Sequence, residues 1–327
     1  MRVGVIGAGF AGAMHAQSLL GINDATVVAI AAATPEEAAP LAAACGARVT
    51  SAAELCAASD VDLVVVATPT HLHADHTIAA AKAGKHVFCE KPIARTLEQA
   101  EEMVRRCDEA GVGLAVGHVV RYFPEYQQAK QLLDEGALGR PAVATFTRGN
   151  FSVGSARDWY VDDAKSGGVV LDLMLHDLDT LRWWFGEPSR IYAKRITAAG
   201  GALDYALATI RYRDRPIVHI EASWAEHAGF RTGFELRGDR GMLVHDSRTA
   251  SPLTVQSPRG PSGPAMMAAP TLSESPYRRQ LRDVLSRLRR GERPLVDGRE
   301  GLRSLALGLA VIESANSGDV IEWQAPA

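Results

Sequence analysis

The sequence predicts an α/β fold whose first part is a doubly wound parallel sheet. Three observations lead to this prediction: short apolar runs recur between residues 3 and 116, helical segments separate them, and glycines directly follow the first run. Such short apolar runs are typical of strands that are buried on both faces. Strands that alternate with helices of about 10–15 residues indicate a parallel sheet covered by helices.

The predicted elements follow one another in a regular order. The strands of this first part are Val3–Ile6, Val27–Ala31, Leu63–Ala67, His86–Cys89 and Gly113–Val116. The helices run from the first glycine turn to Leu20, from Thr34-Pro35 onward, from Pro69 to near Gly84, and over Leu97–Ala110. Further along, alternating apolar and polar residues predict strands at Ala142–Asn150, Arg190–Ile196, Ala206–Tyr212, Ile217–Ser223, Gly233–Arg237 and Gly241–His245.

Length and charge limit the class of protein. The 327 residues suggest two domains, and we place the boundary between residues 119 and 120. The 35 Lys and Arg residues against 38 Asp and Glu give a formal net charge of −3, without a dense basic run. This balance argues against nucleic acid or a membrane surface as the main partner.

The cysteines and the N-terminal segment predict a cytoplasmic protein. Cys45, Cys56, Cys89 and Cys107 contain no CxxC pair, so we expect reduced thiols and neither a zinc cluster nor a disulfide scaffold. Glycines and His15 interrupt the apolar start of the chain, which argues against a secretory signal. No apolar run reaches the roughly 18 residues of a membrane helix.

A glycine turn, Gly7-Ala8-Gly9-Phe10-Ala11-Gly12, joins the first strand to the first helix. In this context Gly7 permits the tight turn, Gly9 lets the main chain approach a pyrophosphate, and Gly12 allows the helix to pack closely on the strand. N–H groups at the start of the helix would bind the phosphates. The pattern favours a dinucleotide site over a glycine turn without a ligand. Its candidate contacts are Gly7, Gly9, Phe10, Ala11 and Gly12.

The end of the second strand lacks the acidic residue that normally binds the adenosine ribose. It reads Ala31-Ala32-Ala33-Thr34, and a capping box with Pro35 at the first helical position explains the glutamates that follow. Because no carboxylate repels a 2′-phosphate and no arginine attracts one, the choice between NAD and NADP stays open. We expect weak discrimination with a slight preference for NADP, and Ala32 and Thr34 as candidate contacts.

Glu90-Lys91-Pro92 follows a strand at its carboxyl end, where ligands bind in open α/β sheets. A lysine there can hold a substrate hydroxyl and stabilise its deprotonated form, or polarise a carbonyl in the reverse direction. The alternative is a surface salt bridge between Glu90 and Lys91.

A second candidate lies in the segment that begins at Gly167-Gly168 and ends at Phe185 before Gly186, a pattern that predicts a helix. Asp172 and His176 are four residues apart, so on an α-helix they would share a face. A carboxylate beside an imidazole suits a general base near neutral pH. The alternative is a capping aspartate and a buried structural histidine.

Together these motifs resemble the glucose-fructose oxidoreductase / inositol dehydrogenase / rhizopine-catabolism (Gfo/Idh/MocA) family of oxidoreductases, and the resemblance covers nearly the whole chain. Besides the glycine turn and the glycine-led helix, it rests on Thr68-Pro69-Thr70-His71 with His73, Gly84–Pro92, Val116–Arg121, Gly136–Gly139 and Ser314–Gly318.

The resemblance implies roles for individual residues. Lys91 corresponds to the catalytic lysine of the family, and Asp172 with His176 to its acid–base pair. The candidate cofactor contacts beyond the first two strands are Thr68, Pro69, Thr70, His71, His73, Glu90, Lys91 and Arg121. The candidate substrate contacts are Lys91, His118, Trp159, Tyr160, Asp172 and His176. Trp159 and Tyr160 are candidates because they precede the glycine-led helix, and ordinary packing explains them equally well. We expect no metal, because the histidines at 71, 73 and 76 have no carboxylate or cysteine set beside them.

The resemblance also implies a C-terminal α+β domain with an open, mostly antiparallel sheet that forms a homodimer or homotetramer. The implied reaction moves a hydride between NAD or NADP and a carbinol or carbonyl carbon of a sugar or polyol. Two alternatives are a glycosidase or lyase that uses the cofactor transiently, and a non-catalytic dinucleotide-sensing regulator. The presence of Lys91, Asp172 and His176 together argues against the regulator.

Overall fold

The computed structural model describes residues 1–150, 158–198, 204–214, 216–249, 254–256 and 274–326. The chain divides into two compact units. The first comprises Met1–Tyr122 and Glu274–Leu305, and the second comprises Phe123–Ser273 and Ala306–Ala327. The first unit thus includes a segment near the C-terminus, which the prediction of two consecutive domains had assigned to the second.

A parallel sheet forms the centre of the first unit. Its strands are β1 (Arg2–Ile6), β2 (Thr26–Ala31), β3 (Arg48–Val49), β4 (Leu63–Val66), β5 (His86–Cys89) and β6 (Leu114–Val116). Among the described residues the sheet has six strands in the order β3-β2-β1-β4-β5-β6, and all neighbours are parallel. The predicted doubly wound sheet is confirmed. Only β3 went unpredicted, because its two exposed residues form no apolar run.

Helices cover this sheet. They are α1 (Phe10–Leu20), α2 (Pro35–Cys45), α3 (Ala52–Ala57), α4 (His73–Lys82), α5 (Leu97–Glu109), α10 (Pro276–Arg289) and the beginning of α11 (Gly298–Ser317), numbered in chain order. The apolar stripe of α10 belongs to the same buried cluster as Val3, Val65 and Phe88. The residues of this α10 stripe are Leu281, Val284, Leu285 and Leu288. This burial explains why the late segment belongs to the first unit.

The second unit contains a mixed sheet. Its strands are β7 (Pro141–Gly149), β8 (Arg190–Thr197), β9 (Asp204–Arg211), β10 (Ile217–Ser223), β11 (Arg231–Gly238), β12 (Met242–Asp246), β13 (Thr254–Gln256) and β14 (Ile321–Glu322). In the described part of the chain the order is β13-β12-β11-β7-β10-β9-β8-β14. Only the β7–β10 pair is parallel among these neighbours. The expected mostly antiparallel sheet is confirmed.

The helices of the second unit are α6 (Pro124–Asp134), α7 (Asp158–Val161), α8 (Asp163–Ser166), α9 (Leu175–Phe185) and the last part of α11. The glycine-led segment begins differently from the expected α-helix. Val170–Met174 forms a π-helix, and α9 follows it to Phe185. The predicted end of the helix at Phe185 agrees with the structure.

The two faces of the second sheet differ in burial. Ala206, Ala208 and Ile210 of β9 are buried on one face, whereas Leu207 on the other is 44% exposed. Leu207 pairs with Lys194 of β8, so the exposed face continues onto β8. There Tyr192 is 39% and Ile196 is 66% exposed. The outer face therefore presents apolar side chains to its surroundings.

None of the helices described is long and apolar enough to cross a membrane. The described histidines, cysteines, aspartates and glutamates contain no group of three or more that could hold a metal ion.

Candidate active site

The carboxyl edge of the first sheet gathers most of the predicted cofactor contacts. The glycine turn follows β1, Thr34 follows β2, Thr68–Thr70 follow β4, Lys91 follows β5 and His118 follows β6. Because all these strands are parallel, their carboxyl ends meet at one edge. The strand order reverses between β1 and β4, the point where open α/β sheets bind their ligands.

The three glycines of the first turn have different structural requirements. Gly7 has a φ of +109°, and a Cβ atom there would lie 2.3 Å from the main-chain oxygen of Ala67. A Cβ atom on Gly12 would lie 1.8 Å from the oxygen of Gly7. Gly9, the N-cap of α1, has an ordinary φ of −74°. The fold therefore requires Gly7 and Gly12, whereas the main-chain conformation of Gly9 is open to other residues.

The end of β2 is organised as a helix cap, as the sequence predicts. Thr34 Oγ1 accepts a hydrogen bond from the main-chain N–H of Glu37 at 3.3 Å, and Pro35 occupies the first helical turn. Hydrogen bonds from its own main-chain N–H and from Thr34 lower the pKa of Glu36. These interactions identify Thr34 as the N-cap of α2 and place the carboxylate of Glu36 in the first turn of that helix.

His73 connects the two turns that follow β4 and β5. Its Nδ1 lies 2.8 Å from the main-chain oxygen of Pro92, and its Nε2 lies 2.9 Å from that of Thr68. The residue is only 1% exposed, and burial lowers its pKa, against the opposing effect of the two carbonyls. Because main-chain oxygens engage both nitrogens, this geometry favours a role in holding the turns over the predicted contact with a cofactor.

Glu90 forms a buried hydrogen-bonded pair with His15 of α1. His15 Nε2 lies 2.5 Å from Glu90 Oε1, and the main-chain N–H of Lys91 donates to Glu90 Oε2 at 2.9 Å. Burial alone would raise the pKa of Glu90, but the hydrogen bond and charge of His15, followed by the charge of Lys91, hold that pKa below its usual range. A Cβ on Gly117 would lie 3.0 Å from this carboxylate. Glu90 is thus built into the protein rather than lying in a surface salt bridge.

Sequence reasoning did not assign His15 a role. Its side chain is fully buried, and its ring packs edge-on against Phe88 with centroids 4.9 Å apart. The available signal was a histidine three residues after Gly12, on the face of α1 that must pack against the sheet. That position alone does not reveal a carboxylate partner 75 residues away in sequence.

His118 and Arg121, which were predicted to contact substrate and cofactor, lie at the carboxyl end of β6 and are almost completely buried. His118 is 1% and Arg121 is 3% exposed. Arg121 Nη2 lies 2.9 Å from Glu300 Oε2 of α11. The guanidinium is therefore paired with the protein's own carboxylate, which weakens the predicted role of Arg121 at the cofactor.

In the second unit, two aromatic side chains hold the carboxylate of Asp172. The Tyr160 hydroxyl donates to Oδ1 at 3.3 Å, and the Trp224 indole N–H donates to Oδ2 at 3.0 Å. Tyr160 was predicted to be near the substrate, and the ring of Trp159 packs against it in a tilted arrangement with centroids 4.3 Å apart. Trp224 was missed, because it follows β10, far from Asp172 in sequence.

The π-helix changes the expected relation between Asp172 and His176. Asp172 lies within Val170–Met174, and His176 lies in the first turn of α9. A π-turn contains more residues than the 3.6 of an α-turn, so α-helical spacing does not apply between the two. The expectation of a regular α-helix through both residues is corrected accordingly. Such turns are frequent at functional sites, although their position is hard to predict from sequence.

Comparisons with known proteins agree with this geometry. Residues 1–118 match the model of the Gfo/Idh/MocA oxidoreductase family with an NAD-binding Rossmann fold, and residues 126–244 match the Gfo/Idh/MocA C-terminal domain. The 1,5-anhydro-D-fructose reductase of Ensifer adhaerens is 33% identical over 85% of this chain and 84% of its own.

Two further relatives extend over almost the full length. The inositol 2-dehydrogenase of Rhizobium meliloti is 29% identical over 96% of both chains. The crystal structure of the WlbA dehydrogenase from Bordetella pertussis, in complex with NADH and UDP-GlcNAcA, has a TM-score of 0.91 at 28% identity. That match covers 100% of this chain and 98% of the other. The chain belongs to the Gfo/Idh/MocA family of NAD-binding oxidoreductases.

Proposed function

We propose that this protein is an NAD(P)-dependent dehydrogenase that moves a hydride between the nicotinamide and a carbinol or carbonyl carbon of a sugar or polyol. The observation that carries the proposal is the position of Lys91. It follows β5 on the same sheet edge as the glycine turn after β1. A cation at that edge is suited to stabilise an alkoxide next to a bound dinucleotide.

The residues of the first unit fit a dinucleotide. Gly9 is exposed at the N-terminus of α1, where main-chain N–H groups can bind a pyrophosphate. Phe10 is 71% exposed beside it. When bound, the nicotinamide supplies the carbon that accepts or releases the hydride. The WlbA relative carries NADH, which supports NAD as a cofactor to be tested alongside NADP.

We assign each candidate catalytic residue a distinct role. In the oxidative direction His176 takes the proton of the substrate hydroxyl as general base. Asp172 is the orienting carboxylate of the acid–base pair. The hydrogen bonds that Tyr160 and Trp224 donate to its two oxygens support this role. Lys91 stabilises the negative charge that develops on the oxygen. In the reductive direction the same groups return the proton and polarise the carbonyl.

The relatives, rather than the geometry, support the substrate class that we propose. Their names specify 1,5-anhydro-D-fructose, inositol and a UDP-sugar. All are polyhydroxylated rings, so we propose a sugar or polyol for this chain. The test is a panel of such compounds with both cofactors, followed by the absorbance of reduced nicotinamide. Product formation without net change in nicotinamide would favour the lyase or glycosidase instead, and dinucleotide binding with no turnover would favour the regulator.

We also propose that the exposed apolar face of the second sheet mediates homo-oligomerisation, as a dimer or tetramer. Tyr192, Ile196 and Leu207 are exposed on it, and exposed apolar surface commonly marks an interface. Light scattering should give at least twice the mass of the chain, and Ile196→Asp should lower that mass. A monomer at micromolar concentration would contradict this proposal.

A further inference from the structure

The carboxylate of Asp172 is held by an indole that no sequence motif had connected to it. Trp224 is 3% exposed, and its Nε1–H donates to Asp172 Oδ2 at 3.0 Å. We infer that Trp224 is a positioning residue that fixes the orientation of the Asp172 carboxylate for the acid–base step. The inference rests on the proposed function, because Asp172 must act in turnover for its orientation to matter.

One residue, Asp204, fixes both partners of this hydrogen bond. Its main-chain oxygen accepts a hydrogen bond from the main-chain N–H of Trp224 at 2.9 Å. Its carboxylate Oδ2 accepts the main-chain N–H of Val169 at 2.8 Å, and Val169 directly precedes the π-helix that carries Asp172. The indole donor and the turn bearing its acceptor are therefore anchored to the same residue.

Asp204 is itself firmly held. It is 1% exposed, and Arg195 donates to its Oδ1 through Nε at 2.7 Å and to its Oδ2 through Nη2 at 2.6 Å. Gly168 has a φ of +62°, and a Cβ on it would lie 1.9 Å from Arg195 Nη2. Gly168 therefore leaves space for the ion pair between Arg195 and Asp204. This requirement, in addition to the turn, explains why a glycine precedes the π-helix.

The chemistry of the indole defines what Trp224 can do. An indole N–H donates a hydrogen bond but accepts none, and the indole does not ionise at ordinary pH. Trp224 therefore takes no part in proton transfer. Tyr160 donates to the other oxygen at 3.3 Å, so the two donors fix the carboxylate from both of its oxygens. A small misplacement of a catalytic group can cost a large factor in rate.

The test compares two tryptophan substitutions in the same unit. Trp224→Phe keeps an aromatic ring but removes the donor, and we expect kcat to fall by about ten- to hundred-fold, as loss of one hydrogen bond to a charged group predicts. Dinucleotide affinity should stay unchanged. Trp184→Phe is the matched control, because Trp184 is also buried and its indole nitrogen has no hydrogen-bond partner among the described residues. It should keep the wild-type kcat.

A double-mutant cycle distinguishes positioning from general support of the fold. If Trp224 acts through Asp172, then Trp224→Phe should have no further effect on kcat in an Asp172→Ala background. Active protein is counted by dinucleotide titration, so partial unfolding of a variant does not distort the result. Equal losses in both backgrounds, or a wild-type kcat in Trp224→Phe, would overturn the inference. A wild-type kcat in Asp172→Ala would instead overturn the role of Asp172 in the proposed function.

Discussion

The two units hold their candidate catalytic groups in different ways. In the first, main-chain contacts hold the turn that carries Lys91: the Lys91 N–H donates to Glu90 Oε2 at 2.9 Å, and the oxygen of Pro92 lies 2.8 Å from His73 Nδ1. In the second, Tyr160 and Trp224 contact the carboxylate of Asp172 itself. The first arrangement fixes a turn and the second fixes a functional group. Substitutions behind Lys91 should therefore act on stability and turnover together, whereas those around Asp172 should act mainly on turnover.

The largest expected effect concerns the groups that would carry the chemistry in each unit. General base catalysis is worth about 10²–10⁴ in rate, so His176→Ala should lower kcat by a factor of that order. Lys91→Ala should lose a similar or larger factor, because its charge acts on the developing alkoxide. Both kcat and dinucleotide affinity should be measured for each variant. A wild-type kcat in His176→Ala would assign that residue to the structural role that the sequence also allowed.

The second prediction separates binding from folding within the glycine turn. Gly9→Val should weaken dinucleotide affinity and leave the fold intact, because Gly9 has an ordinary φ of −74° and its exposed position faces the expected pyrophosphate. Gly7→Val should destabilise the protein itself, because its φ is +109° and its Cβ would meet Ala67. Calorimetric titration and thermal melting measure the two effects. Unchanged affinity in Gly9→Val would refute the dinucleotide site at this turn.

The sequence predicted the first unit in more detail than the second, for a physical reason. Buried parallel strands are continuous apolar runs, and their order places Gly7–Gly12 and Lys91 on one edge without further information. The site in the second unit depends on the π-turn at Val170–Met174 and on the contact between Trp224 and Asp172. Both arise from packing between distant segments, and neither leaves a pattern in the local sequence. The same limit hid the partnership of His15 with Glu90.

The third prediction tests the buried pair behind Lys91. His15→Leu removes the partner of Glu90, and breaking a buried pair typically costs about 3 kcal/mol in the free energy of unfolding. We expect kcat to fall as well, though less than in Lys91→Ala, because the turn loosens while the ammonium remains. His76→Leu, on α4 and half-buried, is the control and should have a smaller effect on both.

The free energy of unfolding that His15→Leu loses should depend on pH, in the direction set by the lowered pKa of Glu90. The pKa of Glu90 is lower in the folded protein than in the unfolded chain. Its contribution to stability is therefore present above the unfolded value of about 4.3 and is lost as the pH falls through the folded value. Denaturant unfolding at several pH values should show wild type and His15→Leu converging in that acidic range. A constant difference down to low pH would show that the pair contributes by packing alone.

The smallest expected effect concerns the choice of cofactor. The tip of β2 carries alanines at 31–33 and a capping threonine, so neither a carboxylate nor an arginine selects between a ribose hydroxyl and a 2′-phosphate. We expect NAD and NADP affinities to differ by less than about ten-fold, or roughly 1.4 kcal/mol, with the slight preference for NADP given by the absence of repulsion. Replacing Ala32 with Asp should shift the preference toward NAD, because a carboxylate there would bind the hydroxyl and repel the phosphate. Ala44→Asp, exposed on α2, serves as the control for added negative charge alone. A hundred-fold preference of the unmodified protein for NAD would show that a residue outside this tip performs the selection.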